Sequence, residues 1–470
     1  VNADLRALAR TGAIHFMGAG GAGMCALAEA VARSGGTVTA CDREPGSAIR
    51  GLEALGVRVH RGHDPSHVEG VAAVVVTAAV SEGHPELRRA RELGVPVMKR
   101  AAALGSWVEA GTVAAVAGTH GKTTTTALLT AILEAAGRDP TGFVGGQVAS
   151  WESHLRPGRD DLFVVEADEY DRSFHHLHPD VTVVTNLEAD HLDIYGDLDG
   201  VRAAFRQYVN GIRSGGAVWA CADDPGASAL LAGLGPDVKG HSYGFAAGAE
   251  LRGERPVFGT RGASVRIRER GDDRGRLRLR IPGLHNLRNA LGAAGAARSM
   301  GVDWRDIRRG VEGFEGVRRR FQELGSVGDV RVVDDYAHHP TEVAAALSAA
   351  RAAAPDARLV AVFQPHLYSR TRDFHAAFGE ALASADVVWI TAIYPAREDP
   401  LPGVDAGMVE RSTRAAGAGE VHLHPSLETL AEAVAASLRP GDLCLTLGAG
   451  SIEGVGPGIV ERLRHGGSHA

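Results

Sequence analysis

The sequence predicts an α/β protein built from three consecutive parallel-sheet domains. Three observations carry the prediction. Short apolar runs alternate with helical patterns along the chain, as in successive βαβ units. Two of those runs open straight into a glycine-rich turn and a helix, at Gly18 and at Gly118. In the last third the alternation resumes, and strand after strand gives way to polar residues at its carboxyl end, where open α/β sheets place their ligands.

The first run, Ala13 to Met17, ends in Gly18-Ala19-Gly20-Gly21-Ala22-Gly23. Glycines 18, 20 and 23 satisfy G-x-G-x-x-G. A helix follows to Arg33, then a strand from Thr37 to Cys41 that stops at Asp42. Strand, glycine turn, helix, strand and acid make a dinucleotide-type fingerprint. Three readings fit it: NAD or FAD, another nucleotide diphosphate, or packing glycines alone. Val57 to His60, Ala72 to Thr77, a helix from Pro85 to Leu93 and a strand near Val97 complete a small parallel-sheet domain.

The second block opens with Val113 to Ala117, which feeds Gly118-Thr119-His120-Gly121-Lys122-Thr123-Thr124-Thr125 and a helix from Thr123 to Ala136. This is the layout of a phosphate loop for ATP or GTP: amides face an anion, a lysine reaches the terminal phosphates, and a hydroxyl meets Mg²⁺. Only Thr119 and His120 separate the two glycines, fewer than the usual spacing. An ordinary glycine turn with a surface lysine is the alternative. Lysine occurs only at Lys99, Lys122 and Lys239, which makes its presence in the loop more telling. Leu162 to Glu166 ends in Glu166-Ala167-Asp168-Glu169, at the position of a Mg²⁺ ligand or of a solvated acidic loop. Val181 to Thr185 runs into Asn186-Leu187-Glu188-Ala189-Asp190-His191. His191, beside Asp190 at a strand end, reads equally as a site residue or a structural one. His175, His176 and His178 lack strong metal-ligand spacing and are predicted on the surface. Val265 to Ile267 and Arg276 to Ile281 alternate arginine with apolar residues, which predicts half-exposed antiparallel strands rather than a nucleic-acid patch. A small-residue helix from Pro282 to Met300 carries His285, Asn286 and Asn289, and a second helix spans Trp304 to Val311. Asparagines at a helix start can also serve only as caps.

The segment from Gly316 to Phe321 reads as a junction. Val330 to Val333 is followed by Asp334-Asp335-Tyr336-Ala337-His338-His339, and Arg358 to Phe363 by Gln364-Pro365-His366 and Arg370. Val387 to Ile393 is followed by Tyr394-Pro395-Ala396-Arg397, and Leu443 to Leu447 by Gly448-Ala449-Gly450-Ser451. Repeated His and Arg at these ends predict an edge that faces something anionic. The formal net charge of −7 offers no basic field for nucleic acid. No apolar run reaches membrane-spanning length, and residues 1–10 lack a signal-peptide core. Four widely spaced cysteines without a CxxC pair complete the expectation of a reduced, cytoplasmic protein.

These segments together resemble the Mur ligase family, over nearly the whole chain and in matching order. The resemblance rests on His15 to Met24, Gly118 to Thr125, Glu166 to Glu169, Thr185 to Asp193, His285 to Ala290, Arg319-Arg320-Phe321, Asp334 to Glu342, and Phe363 to His366. It implies a Rossmann-like UDP-sugar domain (1–110), a P-loop ATPase domain (111–316) and a Rossmann-like amino-acid domain (317–470). It implies ATP-dependent addition of L-alanine to UDP-N-acetylmuramate through an acyl phosphate, in peptidoglycan precursor synthesis, by a monomer or homodimer. Gly18, Gly20, Gly21, Gly23, Met24 and Asp42 would hold the UDP-sugar. Gly118, Thr119, His120, Gly121, Lys122, Thr123 and Thr124 would hold ATP, with Lys122 at the β- and γ-phosphates. Thr123, Glu166 and His191 would be Mg²⁺ ligands. By the same resemblance His285, Asn286 and Asn289 lie at the adenine, Arg320 at the γ-phosphate and Asp335 at the ribose. Tyr336, His338, His366 and Arg370 would form the alanine pocket, with the arginine on the carboxylate.

Two departures from the family pattern stand out. Ser451 replaces the Asp usual in alanine-adding members, so no role is carried onto it. No lysine lies between Thr123 and Asp237, so the carbamylated lysine of several other members has no counterpart, which favours the alanine-adding branch. The rival readings are a tripeptide-adding sister ligase of wall recycling, a folate polyglutamate ligase, an NAD-dependent oxidoreductase and a non-catalytic nucleotide-binding regulator. The run from Asp171 to Pro179 favours the alanine-adding branch over the sister ligase.

Overall fold

The structure, a computed structural model, describes residues 3–43, 47–151, 153–260, 262–396 and 398–466. Arg397 falls outside them. The chain divides into two compact units. The first runs to Arg255 and takes in Arg266–Leu277 and Arg288–Glu315. The second comprises Pro256–Val265, Arg278–Leu287 and the chain from Gly316 on.

In the first unit, β1 (Ile14–Met17), β2 (Val38–Asp42), β3 (Arg58–Arg61), β4 (Ala73–Val76) and β5 (Val97–Lys99) form a sheet in the order β3-β2-β1-β4-β5. Every pairing is parallel. All four residues of β1 and of β4 are buried, as strands covered on both faces must be. The chain leaves β1 for β2 on one side and returns to β4 on the other. The crevice at their carboxyl ends is therefore a topological switch point.

A ten-stranded sheet follows. Its strands are β6 (Thr112–Ala117), β7 (Pro140–Val148), β8 (Ser153–Arg156), β9 (Arg159–Glu166), β10 (Val181–Val184), β11 (Ala217–Cys221), β12 (Lys239–Gly244), β13 (Leu251–Gly259), β14 (Gly262–Glu269) and β15 (Asp272–Leu279). Their order is β15-β14-β13-β12-β11-β10-β6-β9-β7-β8. β6 lies parallel between β10 and β9, so three carboxyl ends meet where the glycine turn after Ala117 begins. β14 shows the expected alternation: Ala263, Val265 and Ile267 are buried, while Arg266 and Arg268 are half-exposed. β7 was not legible as a strand because its nine residues hold three glycines and a proline; pairing with β8 and β9 overrides that weak propensity.

In the second unit, β16 (Gln322–Val327), β17 (Val330–Asp335), β18 (Leu359–Phe363), β19 (Val387–Ile390), β20 (Glu420–Leu423) and β21 (Leu443–Leu447) take the order β16-β17-β21-β18-β19-β20. β17 to β20 are linked by parallel pairings, and β16 is an antiparallel edge. Apolar clusters cover both faces, one around Phe363 and Phe378, the other around Trp389 and Leu430. Among the described residues no helix is long and apolar enough to cross a membrane.

Candidate active site

The loop after β6 has a backbone that only glycine adopts readily. Gly118 has φ +135° and Gly121 φ +83°. A Cβ on Gly118 would overlap Thr185 Oγ1, and one on Gly121 would come within 2.6 Å of Asn289 Oδ1. The segment after β10 braces the loop from the other side. Thr119 N donates to Asn186 O at 3.0 Å, and His120 N to Asn186 Oδ1 at 2.8 Å. Thr185 Oγ1 donates to His120 O at 2.6 Å, and Glu188 N to Thr119 Oγ1 at 2.9 Å. Two loop amides are thus spent on Asn186. The amides left for an anion belong to the first turn of the helix Lys122–Ala135, which has no intrahelical acceptors.

Lys122 folds back over this loop. Its Nζ donates to Gly118 O at 2.7 Å and Thr119 O at 3.1 Å, and pairs with Glu169 at 2.7 Å. Glu169 is buried, and its backbone carbonyl accepts from the Tyr195 hydroxyl. Burial opposes the Lys122 charge, but Glu169, Asp168 and Glu166 outweigh it and hold its pKa above the ordinary value. Burial pushes the Glu169 carboxyl up to about 7 against the pull of Lys122. The two directions pull apart because burial penalises both charges, while only Lys122 has three counter-charges near it.

Thr123 and Glu166 are brought together. Thr123 Oγ1 donates to Glu166 Oε1 at 2.9 Å, and Glu166 Oε2 accepts from Gly145 N at 2.6 Å. His191 stands at the same place, half-buried, with Nε2 3.9 Å from Glu169 Oε1 and 3.8 Å from Asp190 Oδ2. His176 and His178 are exposed, and His175 lies 3.0 Å from the carbonyl of Ala204.

A cavity of about 300 Å³ joins this cluster to the first glycine turn. Gly21, Gly23, Met24 and Thr77 line it together with Arg100, Glu166 and Asp168. Asp42 Oδ2 accepts from Gly20 N at 2.8 Å and so shapes the turn itself. Gly18 has φ +81°, and Gly21 precedes the helix Ala22–Arg33 as its N-cap.

The helix Leu284–Ser299 begins with His285 and Asn286. Asn286 Nδ2 donates to Pro282 O at 2.7 Å, and Asn289 is the residue against Gly121. In the second unit, Asp335 ends β17 with Oδ2 on Phe321 N at 2.7 Å and Oδ1 on Ala337 N at 2.8 Å. Burial pushes its carboxyl up to about 6, against the nearby Arg320. Arg319 and Arg320 each lie 5.1 Å from the Tyr336 ring centre. Tyr336, His338, His366 and Tyr394 continue as a chain of ring contacts at 5.3, 5.6 and 5.7 Å. Glu342 anchors this row through Arg320 at 3.7 Å and His338 at 3.1 Å. Arg370 is buried in the first turn of the helix Tyr368–Leu382. Ser451 Oγ accepts from Gln364 Nε2 at 3.2 Å.

Family models match the chain in three consecutive stretches: the Mur ligase family, catalytic domain, at residues 13–112, the Mur ligase middle domain at 116–297, and the Mur ligase, glutamate ligase domain at 319–450. The chain belongs to the Mur ligase family. A UDP-N-acetylmuramate–L-alanine ligase from Kineococcus radiotolerans is 44% identical to this Mur ligase over 461 residues, covering 97% of each chain. The crystal structure of the UDP-N-acetylmuramate-alanine ligase MurC from Thermotoga maritima superposes with a TM-score of 0.82 at 28% identity, over 97% of this chain and 100% of that one. A murein peptide ligase from Psychrobacter arcticus gives 0.70 at 26% identity, over 96% and 98%.

Sequence reasoning about this Mur ligase missed several residues. Glu169 lay inside a motif already singled out, and only its burial reveals it as the Lys122 partner. Asn186 likewise sat in a quoted run without a role. Arg100 carries no signal, since it merely follows a short strand.

Proposed function

We propose that this Mur ligase adds L-alanine to UDP-N-acetylmuramate in the cytoplasm, with ATP converted to ADP and phosphate. The observation that carries this reading is the cavity running from the glycine turn after β1 to Glu166 beside Lys122 and Thr123. A nucleotide-sugar diphosphate at the first end would present its sugar-linked carboxylate to the second. That carboxylate attacks the γ-phosphorus of ATP, giving an acyl phosphate and ADP. The alanine amine then attacks the carbonyl carbon, and the tetrahedral intermediate expels inorganic phosphate as the amine loses its proton. Both steps demand positioning and charge stabilisation rather than covalent help from the protein.

Lys122 leaves Glu169 and moves to the β- and γ-phosphates, while the helix N-terminus at Thr123 and Thr124 faces them. The Thr123 and Glu166 oxygens, 2.9 Å apart, are the hard donors Mg²⁺ takes; His191 beside them is a softer third. Thr123 and Glu166, with His191, would hold Mg²⁺, which would supply positive charge to neutralise the phosphates. Asn289 against Gly121 suits an adenine-side role, with His285 and Asn286. Arg320 supplies positive charge for the transferring phosphoryl group, and Asp335 meets the ribose. The ring row at Tyr336, His338 and His366, with Arg370, receives the amino acid. Domain boundaries at 110 and 316 and a monomeric or dimeric enzyme belong to the same proposal.

The test is phosphate release from ATP with UDP-N-acetylmuramate, first with L-alanine and then with the tripeptide. Release that requires L-alanine and is lost in Lys122→Ala is the expected result. Release only with the tripeptide would move the assignment to the recycling ligase. Binding of ATP without release in either case would leave a nucleotide-binding regulator.

A further inference from the structure

One face of the five-stranded sheet carries a cluster that the ligase reaction does not use. His15 pairs with Thr39, and Met17 with Cys41, in the register of β1 and β2. Cα partners in adjacent strands share a face, so His15 and Cys41 point the same way. The short 3₁₀ turn Pro65–Val68 and the helix Pro85–Glu92 cover that face together. Each brings one polar residue inward, His67 from the turn and Glu86 from the helix. Glu86 is wholly buried. One of its oxygens is 2.8 Å from His67 Nδ1, and Cys41 Sγ lies 3.5 and 3.7 Å from the carboxylate oxygens.

The fourth member is the telling one. His15 is fully buried, with Nδ1 on Thr39 Oγ1 at 2.9 Å and Nε2 buried with no hydrogen-bond partner. A buried imidazole nitrogen left unmatched costs free energy. Donor atoms of His15, Cys41, His67 and Glu86 all lie within 4.8 Å of one another. Tetrahedral zinc with bonds of about 2.0–2.3 Å needs donors roughly 3.3–3.8 Å apart, so small side-chain shifts would close the set.

We propose that His15, Cys41, His67 and Glu86 form a zinc-type structural site in the N-terminal sheet. The donor set is two imidazoles, a thiolate and a carboxylate, which suits a borderline-soft divalent ion rather than Mg²⁺. Binding releases the thiol proton to solvent. Thiolate and carboxylate then balance the divalent charge, leaving a neutral core. Four protein ligands from four separate elements close the coordination shell, so the ion ties β1, β2, the 3₁₀ turn and the helix together without opening a catalytic position. The nearby group of His63, His84 and Glu86 shares the same carboxylate but offers only three donors, so the four-donor set is the one that closes a tetrahedral shell.

The experiment is a Co²⁺ titration of the full-length, metal-stripped protein without nucleotide, read by absorption. One equivalent should bind and produce a sulfur-to-cobalt charge-transfer band, and Zn²⁺ should displace it. Cys41→Ser should abolish the band, while Cys25→Ser should keep it. His67→Asn should weaken Zn²⁺ by more than the roughly 10–100-fold typical of losing an outer-shell partner, with the far-UV circular dichroism of the folded protein retained. Zn²⁺ should raise the melting temperature of the wild type and not of Cys41→Ser. No stoichiometric band, a band that survives Cys41→Ser, or unchanged Zn²⁺ affinity in folded His67→Asn would overturn the proposal.

Discussion

Gly118→Ala is the sharpest probe of the phosphate loop. The wild-type residue sits at φ +135°, a region almost closed to residues with a Cβ, and forcing alanine there costs about 1–3 kcal/mol. The new methyl also overlaps Thr185 Oγ1, so Thr185 must rotate away from its acceptors, His120 O at 2.6 Å and Ala117 O at 3.3 Å. The hydroxyl has one proton, shared between these acceptors, and its loss adds about 0.5–1.5 kcal/mol. The total destabilisation is about 1.5–4.5 kcal/mol, with ATP binding lost alongside. Urea unfolding followed by circular dichroism measures it, and a double-mutant cycle locates it. Thr185→Ala removes the overlapping hydroxyl but leaves the amides of Thr185 and Asn186 3.0 and 3.1 Å from the new methyl. Gly118→Ala in the Thr185→Ala background should therefore cost less than in the wild type by at least about 0.5 kcal/mol, yet not be free. Gly118→Ala within about 0.5 kcal/mol of wild type, or plain additivity in the double mutant, would refute the reasoning.

Glu169 gives a pH signature. Its carboxyl rises from 4.5 to about 7 in the folded chain, so between those values the folded form holds a proton that the unfolded form has released. Its contribution is full below 4.5 and is lost as pH rises through about 7; the stability difference between wild type and Glu169→Gln should fall across that window, and a flat difference in urea midpoints would contradict it. Glu166→Gln should raise the Mg²⁺ concentration needed for half-maximal phosphate release by about tenfold or more, since a charged oxygen donor is lost; an unchanged requirement would remove Glu166 from the metal site. Arg320→Ala should lower kcat by roughly 10²-fold or more with little change in KM for alanine, and Arg320→Lys should not restore it; a pure KM effect in steady-state kinetics would place Arg320 on the amino acid instead.

Much of this site was legible because it depends on backbone shape. Gly118 and Gly121 mark a loop with positive φ, and apolar runs fix which residues sit at strand ends, so Lys122 and Glu166 could be positioned from pattern, whereas His191 read equally as a site or a structural residue and took its role only from the family resemblance. Side-chain pairing was less accessible. Nothing in the spacing of Glu169 separates a buried partner of Lys122 from a solvated acid. Asn186 and Thr185 brace the loop through contacts that join residues more than sixty positions apart. The group around Glu86 draws on four segments between His15 and the helix at Pro85, none of which carries metal-ligand spacing by itself. β16 and β20 were missed as edge strands, and β7 as a glycine-rich one. In each case neighbouring strands decide the structure more than local propensity does.

The resting position of Lys122 has a kinetic consequence. An ammonium already clasped by Glu169 and two carbonyl oxygens projects little field into solvent. Of the three carboxylates near it, Glu169 is engaged by Lys122 and Asp168 lies 3.7 Å from Arg100, while Glu166 is held by the neutral Thr123 hydroxyl and Gly145 amide and adds one unbalanced negative charge. The entrance therefore repels a bare polyanion instead of steering it inward. A nucleotide arriving with its charge already masked by a divalent ion meets no such barrier. Association should then quicken as salt is added to metal-free nucleotide and stay nearly level for the chelate, the reverse of what an exposed lysine at the mouth of a phosphate loop would produce.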